Sequence, residues 1–543
     1  MKKHFPVFIL AALGWLVISG CAGKSSENKA VPLENGRYRD TVSMSLGRYV
    51  QPDPRLPKGD SYTDNAYTRY IKKRLNVTFT DEFEASGDDF ERQVSLSIAS
   101  GVIPDMMTVE SLDTLNELVS GGLIADLTGA YNTYASPGLR KMYDSFDGRC
   151  LKKAGYSGKL MALPGTRTDD QPFMFWIRQD WVDRLGLHLD PDGDHCISIE
   201  ELENTARAFI DRKAGGEGTI GLAFTPELWD EFVVMEAAFG IGPNHWLRDS
   251  SGKLHNGSTS DETRLILEQL HTWFTNGILD PQFGTRKWDD ISALLINGKL
   301  GIIPGPWHIP DWRLSSVKRM DPNAVFCPYT LTDSNGRVHV THNDAAQRFV
   351  VVRKDFPNPE VAVLLANILY DELTEIDPGD IPEIADYVAR GVDNSTRPLW
   401  IEVGPATGEF DEYTQLKNLA DGQIPLSGIT NIGRRIVGTS ILNYINHPKT
   451  AETGEWSYYT SRLFGLGLMY DTRQKGVQDW VTPEFPQNTE TMKQKGANLY
   501  TLQEEYFVKI ITGVEPLSAF DTFVSRWMDE GGSSIIEEIE RQK

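Results

Sequence analysis

The chain reads as an α/β protein with parallel strands and more than one hydrophobic core. Two observations predict this. Short apolar strands alternate with amphipathic helices in a β-α-β-α rhythm. The 543 residues also exceed the ~250–300 at which a single core stops growing.

Thr41 to Val50 alternates, with Val42, Met44 and Leu46 on one face, and is expected as a strand. Asp64 to Leu75 is expected as a helix. Thr63 or Asp64 can cap it, and Tyr67, Tyr70, Ile71 and Leu75 form its stripe. Val77 to Phe79 is a second strand. Asp88 to Ser100 is a second helix, with Phe90, Val94 and Ile98 on one side and Gly101 as its C-cap. Pro104 to Met107 begins a buried strand. Later, Asp261 to Thr275 presents Ile266, Leu270, Trp273 and Phe274 and stops at Asn276-Gly277. Ser518 to Asp529 presents Phe520, Phe523, Val524 and Trp527 and stops at Gly531-Gly532. There is no internal repeat.

The N-terminus bears on the compartment. Lys2 and Lys3 are positive, and Phe8 to Ile18 is mostly apolar but too short to span a bilayer. Ile18-Ser19-Gly20-Cys21 follows at once. That order resembles a bacterial lipobox. It predicts a signal peptide over 1–20 and a diacylglycerol anchor on Cys21; an ordinary signal peptide with a chance cysteine is the alternative. Gly23 to Glu34 is polar, and residues 21–39 are expected as a lipidated tether. No later apolar run reaches the ~18 residues a spanning helix needs. The body is therefore expected on the extracytoplasmic face of the cell membrane, held by lipid alone.

The formal net charge of -22 repels phosphate backbones, and no Lys/Arg cluster overrides it, so nucleic acid is not an expected partner. Beyond Cys21 only Cys150, Cys196 and Cys327 remain. They allow one disulfide at most and show no C-x-x-C spacing for zinc or redox work. The 13 Trp are a generous supply of platforms for sugar rings.

Several segments, in order, resemble the extracellular solute-binding protein family that includes maltodextrin-binding protein, most of all its large lipoprotein branch. Ile103-Pro104-Asp105 is one. Gly121 to Leu127 (GGLIADL), Gly158 to Pro164 (GKLMALP) and Phe175 to Trp181 (FWIRQDW) with Leu185-Gly186-Leu187 follow. Asn297 to Gly301 (NGKLG) through Gly305-Pro306-Trp307, and Ile510 to Gly513 (IITG) through Phe520 to Phe523 (FDTF), complete the set. The resemblance implies a two-lobed periplasmic-binding-protein-like fold of type II, each lobe a mostly parallel sheet flanked by helices, with the ligand between lobes that close over it. By that analogy lobe one holds 40–172 and about 340–430, and lobe two holds 173–339 and about 431–543. The stretch Asp371 to Gly438 matches least. The implied function is capture of a carbohydrate, or another polar solute, by a monomer that delivers it to ABC importer permease subunits.

Asp190 to Glu201 (DPDGDHCISIEE) resembles an EF-hand loop. Asp190, Asp192 and Asp194 would supply carboxylates to a structural Ca2+, Cys196 its carbonyl, Ser198 its hydroxyl directly or through water, and Glu201 two oxygens. The usual glycine at position six is replaced by His195, which must then adopt a left-handed conformation at some strain. An acidic turn that only caps the next helix is the competing reading.

A sugar site needs aromatic faces and fixed polar partners. Trp307 is the first candidate, after a Gly-Pro turn at a strand end; the matching family position holds a stacking aromatic. Trp176 and Arg178 lie beside the first expected crossing and share a strand face, although Arg178 can instead pair with Asp180. Glu227 and Trp229 follow the strand Ile220 to Phe224, Glu110 follows Asp105 to Val109, and Asn343 and Asp344 precede Phe349 to Val352. Trp246, Trp312 and Trp456 are expected in packing roles.

Two other functions compete. A secreted glycoside hydrolase needs two carboxylates about 5–9 Å apart across a bond, and no motif presents such a pair. No Gly-x-Ser-x-Gly, His-Glu-x-x-His or phosphate loop is present, so an enzyme is not expected. A sensory or adhesive surface protein on the same fold is the third reading.

Overall fold

The computed structural model describes residues 30–168, 173–374 and 381–542. The expected signal peptide, Cys21 and the start of the tether lie outside them. The strands that carry the architecture are β1 (Val42–Tyr49), β2 (Val77–Ala85), β3 (Met106–Val109), β4 (Leu163–Thr166), β5 (Met174–Arg178) and β6 (Cys196–Ile197). They continue as β7 (Ile302–Gly305), β8 (Phe326–Leu331), β9 (Val338–Thr341), β10 (Ala346–Val352) and β11 (Gln478–Val481).

Lobe one is a five-stranded sheet in the order β2-β1-β3-β10-β4. β1 is parallel to β2 and β3, whereas β10 is antiparallel to β3 and β4. Lobe two mirrors this with the order β6-β8-β5-β7, where β5 is antiparallel to β7 and β8. Each lobe thus contains one reversed strand, and it is the strand by which the chain enters from the other lobe. Parallel bridges from Ile220 to Leu300 and from Leu222 to Leu279 widen the second sheet, and β9 pairs with β11 beside it.

Helices cover the sheets because their apolar stripes must be buried. The helix Ala66–Leu75 starts two residues later than the expected Asp64, and its cap is Asn65. The Asn65 carboxamide accepts from the Tyr67 and Thr68 amides, and Thr68 bonds back. The helix Asp88–Ser100 runs as expected and ends on Gly101 at φ 70°.

One core runs from Tyr38 to Leu163 and resumes from Ala345 to Ala406. The two faces of the second sheet carry separate cores, because successive side chains of a strand point to opposite faces. Phe175 and Ile177 enter one, with Trp273 and Phe507; Met174 and Trp176 enter the other, with Trp307, Phe410 and Tyr413.

Two expected boundaries shift. Residues 31–38, placed in the tether, pack on lobe one: Asn358 bonds both the amide and the carbonyl of Val31, and Tyr38 is buried with its hydroxyl on Glu360. Residues 408–430, placed in lobe one, pack with lobe two. Phe410 and Tyr413 meet Trp176 and Trp307, while Leu416, Leu419 and Ile429 form a small core with Ile441. Among the described residues Cys150, Cys196 and Cys327 are free thiols, and no helix is long and apolar enough to cross a membrane.

Candidate functional site

The carboxyl ends of β1 and β3 and the start of β10 lie together on the edge of lobe one, where open α/β sheets bind ligands. A groove there is walled by Glu110, Ser111 and Asp344 on one side and by Pro486, Gln487 and Asn488 of lobe two on the other. The lobes touch across it. Asn488 donates to Asp113 at 3.0 Å, and the Lys153 ammonium donates to the Phe485 carbonyl at 2.7 Å.

Beside the crossings, lobe two opens a cavity of about 320 Å³. Three elements wall it: the helix Trp229–Phe239, β9, and the helix Glu490–Ile511. Arg167, Phe173 and Asn343, from the two crossing segments, complete the mouth. Phe232 and Phe507 lie 5.6 Å apart and give an apolar floor. Glu227, Glu236 and Glu504 give carboxylates, and Asn244, His245, Thr341 and Gln503 give further polar groups.

Glu236 is 5% exposed and must be paired to be tolerated there. Thr341 donates its hydroxyl at 3.2 Å, and the His245 ring nitrogen lies 3.3 Å from the other oxygen. Glycine at 242 makes this possible, since a Cβ there would stand 1.5 Å from the Glu236 oxygen. Glu504 titrates above the usual carboxylate range because burial disfavours its charge; the Tyr500 hydroxyl bond opposes this, and Glu227 adds to it. The Tyr500 hydroxyl is itself pushed up to about 12, chiefly by burial.

Lobe one carries an aromatic stack at the carboxyl end of β1. Tyr49, the last residue of β1, lies parallel to Trp400 at 3.6 Å, and the Arg348 guanidinium covers Trp400 at 3.8 Å. Arg348 sits at φ 55° where β10 shifts register between Gln347 and Phe349. That bulge turns its side chain out of the strand alternation toward Glu110, 3.7 Å away. Burial, and then a hydrogen bond with Glu110, push Glu91 up to about 7.

At the third crossing, Glu409 is held between Thr168, which donates to it at 3.4 Å, and Trp307. Burial, and then the charge of Glu412, raise it to about 7.

The sequence candidates divide accordingly. Glu227 and Asn343 line the cavity; Glu110 and Asp344 line the groove, where Asp344 pairs with Lys153 at 2.9 Å. Trp176 and Arg178 are corrections. Trp176 is fully buried and donates its indole N–H to the Pro306 carbonyl. Arg178 is 4% exposed and tied to Asp180 and Asp321, as the structural alternative had it. Trp307, the first candidate, is 9% exposed, packed in the Trp176 core beneath the Arg462 guanidinium, which Asp311 holds in place. Trp229 opens its helix, but its side chain lies outside the described residues. Of the unassigned tryptophans, Trp456 is buried, Trp246 packs 6.1 Å from Trp527, and Trp312 is exposed.

Glu236, His245, Glu504, Arg348 and Trp400 were missed. Only Glu236 carries a local signal, an acid inside the otherwise apolar run Phe232 to Phe239.

The Asp190–Glu201 loop folds as a tight acidic turn. Asp190 accepts from the amides of Gly193, Asp194 and His195, and Asp194 accepts from Cys196. His195 takes φ 60°, the left-handed turn expected at that position. Ile197 is buried and β6 pairs with β8, which fastens the loop to the sheet. Carboxylates and carbonyls are the donors a hard cation takes, so residue types and backbone fit calcium. Glu201 departs from the expected ligand set. One of its oxygens accepts from the Ser198 amide and hydroxyl and caps the exit helix. Among the described residues no three His, Cys, Asp or Glu side chains converge on a metal position.

No protein-family model matches the chain. It is 25% identical over 322 residues to the fructooligosaccharide ABC transporter substrate-binding protein FusA of Streptococcus pneumoniae. That match spans 54% of this chain and about half, 56%, of FusA. The structure resembles FusA in complex with kestose (TM-score 0.54, 15% identity, 92% of this chain and 98% of that one). It resembles the alginate-binding protein AlgQ2, solved without calcium ion, equally well (TM-score 0.54, 14% identity, 94% of this chain and 99% of that one). An EF-hand mutant of FusA with fructo-nystose gives a TM-score of 0.55 at 15% identity, over 92% of this chain and 98% of that one. The fold is that of two-lobed substrate-binding proteins.

Proposed function

We propose that this chain is an extracytoplasmic solute-binding protein that captures a carbohydrate between its lobes and presents it to the permease subunits of an ABC importer. The observation that carries the reading is the acid- and aromatic-lined cavity beside the crossings; the Tyr49–Trp400 stack adds aromatic faces on lobe one. Sugars expose apolar C–H faces and many hydroxyl donors. Phe232, Phe507, Tyr49 and Trp400 offer faces, and Glu227, Glu504, Asn343 and Gln503 offer acceptors. FusA, by its name, does this work for fructooligosaccharides.

A ligand held by both walls stabilises the closed arrangement by the difference between its affinities for closed and open states. The three crossings act as the hinge, and closure forms the surface an importer reads. Cys21 carries the lipid anchor, and the body works as a monomer.

The same reading gives the Asp190–Glu201 loop a structural calcium ion, held by Asp190, Asp192 and Asp194, the Cys196 carbonyl, Ser198, and the one Glu201 oxygen that does not accept from Ser198. Calcium supplies positive charge that relieves carboxylate repulsion. The similar AlgQ2, solved without calcium ion, and FusA, solved as an EF-hand mutant, support this.

A thermal-shift screen against neutral oligosaccharides, kestose included, tests the function. A binder at a hundred times its Kd adds about 2.7 kcal/mol to stability. A flat response across the panel contradicts carbohydrate capture.

A further inference from the structure

We infer that the cavity selects uncharged saccharides and turns away acidic ones such as uronates and sulfated or phosphorylated sugars. The inference rests on the carbohydrate reading above and gives it a substrate class.

Glu227 and Glu236, from the turn and helix at 226–239, and Glu504, from the helix Glu490–Ile511, surround one cavity of about 320 Å³. An ionised carboxylate only accepts hydrogen bonds, so the guest must bring donors. Hydroxyls and amide N–H groups do so; a carboxylate or sulfate does not. The cations nearby do not offset this. His245 sits against Glu236, and His339 lies 3.3 Å from Asp333. Arg167, also in the lining, is exposed, so solvent screens its charge.

The carboxylates already crowd one another. Glu504 resists ionisation through burial and through the charge of Glu227. A further anion in the cavity would meet the same repulsion in a partly desolvated space, where screening is weak. Lobe one points the same way. Arg348, over the stack, is taken up by Glu110 and by the face of Trp400. The net charge of -22 adds a long-range term that slows the approach of anions.

Calorimetric titration of the full chain tests this. The probes are the tightest neutral binder from the oligosaccharide panel, the same molecule with its primary hydroxyls oxidised to carboxylates, and trigalacturonate. The acidic forms are expected to bind at least a hundredfold more weakly than the neutral one. The Glu227→Gln, Glu504→Gln double variant keeps shape and removes two charges. It is expected to narrow the ratio of neutral to acidic affinity at least tenfold, although neutral binding itself weakens because both residues are acceptors for the sugar. The single Glu227→Gln variant, at an exposed position, gives the same direction if the double variant folds poorly. Acidic probes binding within threefold of the neutral one overturn the selectivity and leave carbohydrate capture standing. So does a gap that both variants leave unchanged. If no saccharide of either charge binds, the carbohydrate reading fails and the selectivity fails with it.

Discussion

At the scale of single residues, Glu409 is the most exposed to a physical test. Its value near 7 lies above the ~4.3 of an unfolded chain. The folded state therefore holds a proton that the unfolded state has lost between those values. The resulting stability is fully present below about pH 4 and is lost as pH rises through about 7. Glu409→Gln removes the titration, so the variant should match the parent near pH 4.5 and exceed it by about 2–3 kcal/mol at pH 8. Urea midpoints at the two pH values decide it; parallel profiles would place the ionised Glu409 in water. Gly242 is the second residue-scale case. Gly242→Ala drives a methyl into the Glu236 carboxylate, so it should cut saccharide affinity more than tenfold in a calorimetric titration. A variant that binds normally means the carboxylate moves aside at little cost. Neither role is visible in the sequence. A glycine's open face and a glutamate's burial depend on residues far away in the chain.

At the scale of elements, the chain was legible wherever an apolar stripe and a stop signal coincide. The helices Asp88–Ser100 and Asp261–Thr275 show this. The Ala66 helix slipped by two residues because Asn65, not Thr63 or Asp64, reaches the two free amides. Asn65→Ala should cost about 1 kcal/mol or more, read as a fall in the urea midpoint. Trp176 and Arg178 were misjudged for a related reason. Strand alternation puts them on one face but does not say that helices cover it. The acidic loop is the element with the clearest metal test. Calcium titration of the chelator-treated chain should raise Tm, and Asp190→Asn should abolish the rise. Equal melting with and without calcium leaves the loop a helix cap and no more.

At the scale of the whole molecule, the two sheets of alternating chain segments follow from strands entering each lobe from the other. The order of family-like motifs anticipated that arrangement. The limits of the lobes were less readable. The helix Gly408–Ala420 joined lobe two because Phe410 and Tyr413 find the Trp176–Trp307 core within reach. No periodicity in that helix says which lobe it will meet. The lobe-one wall was missed for the same reason. Tyr49 is hundreds of residues from Arg348 and Trp400 in sequence and meets them only in the fold.

The account depends on a small hydrophilic ligand drawing the two lobes together. Small-angle scattering of the chain, with and without its tightest saccharide at saturation, measures that directly. The account predicts a smaller radius of gyration and a shorter maximum dimension in the bound state. Superimposable curves at proven saturation would contradict it.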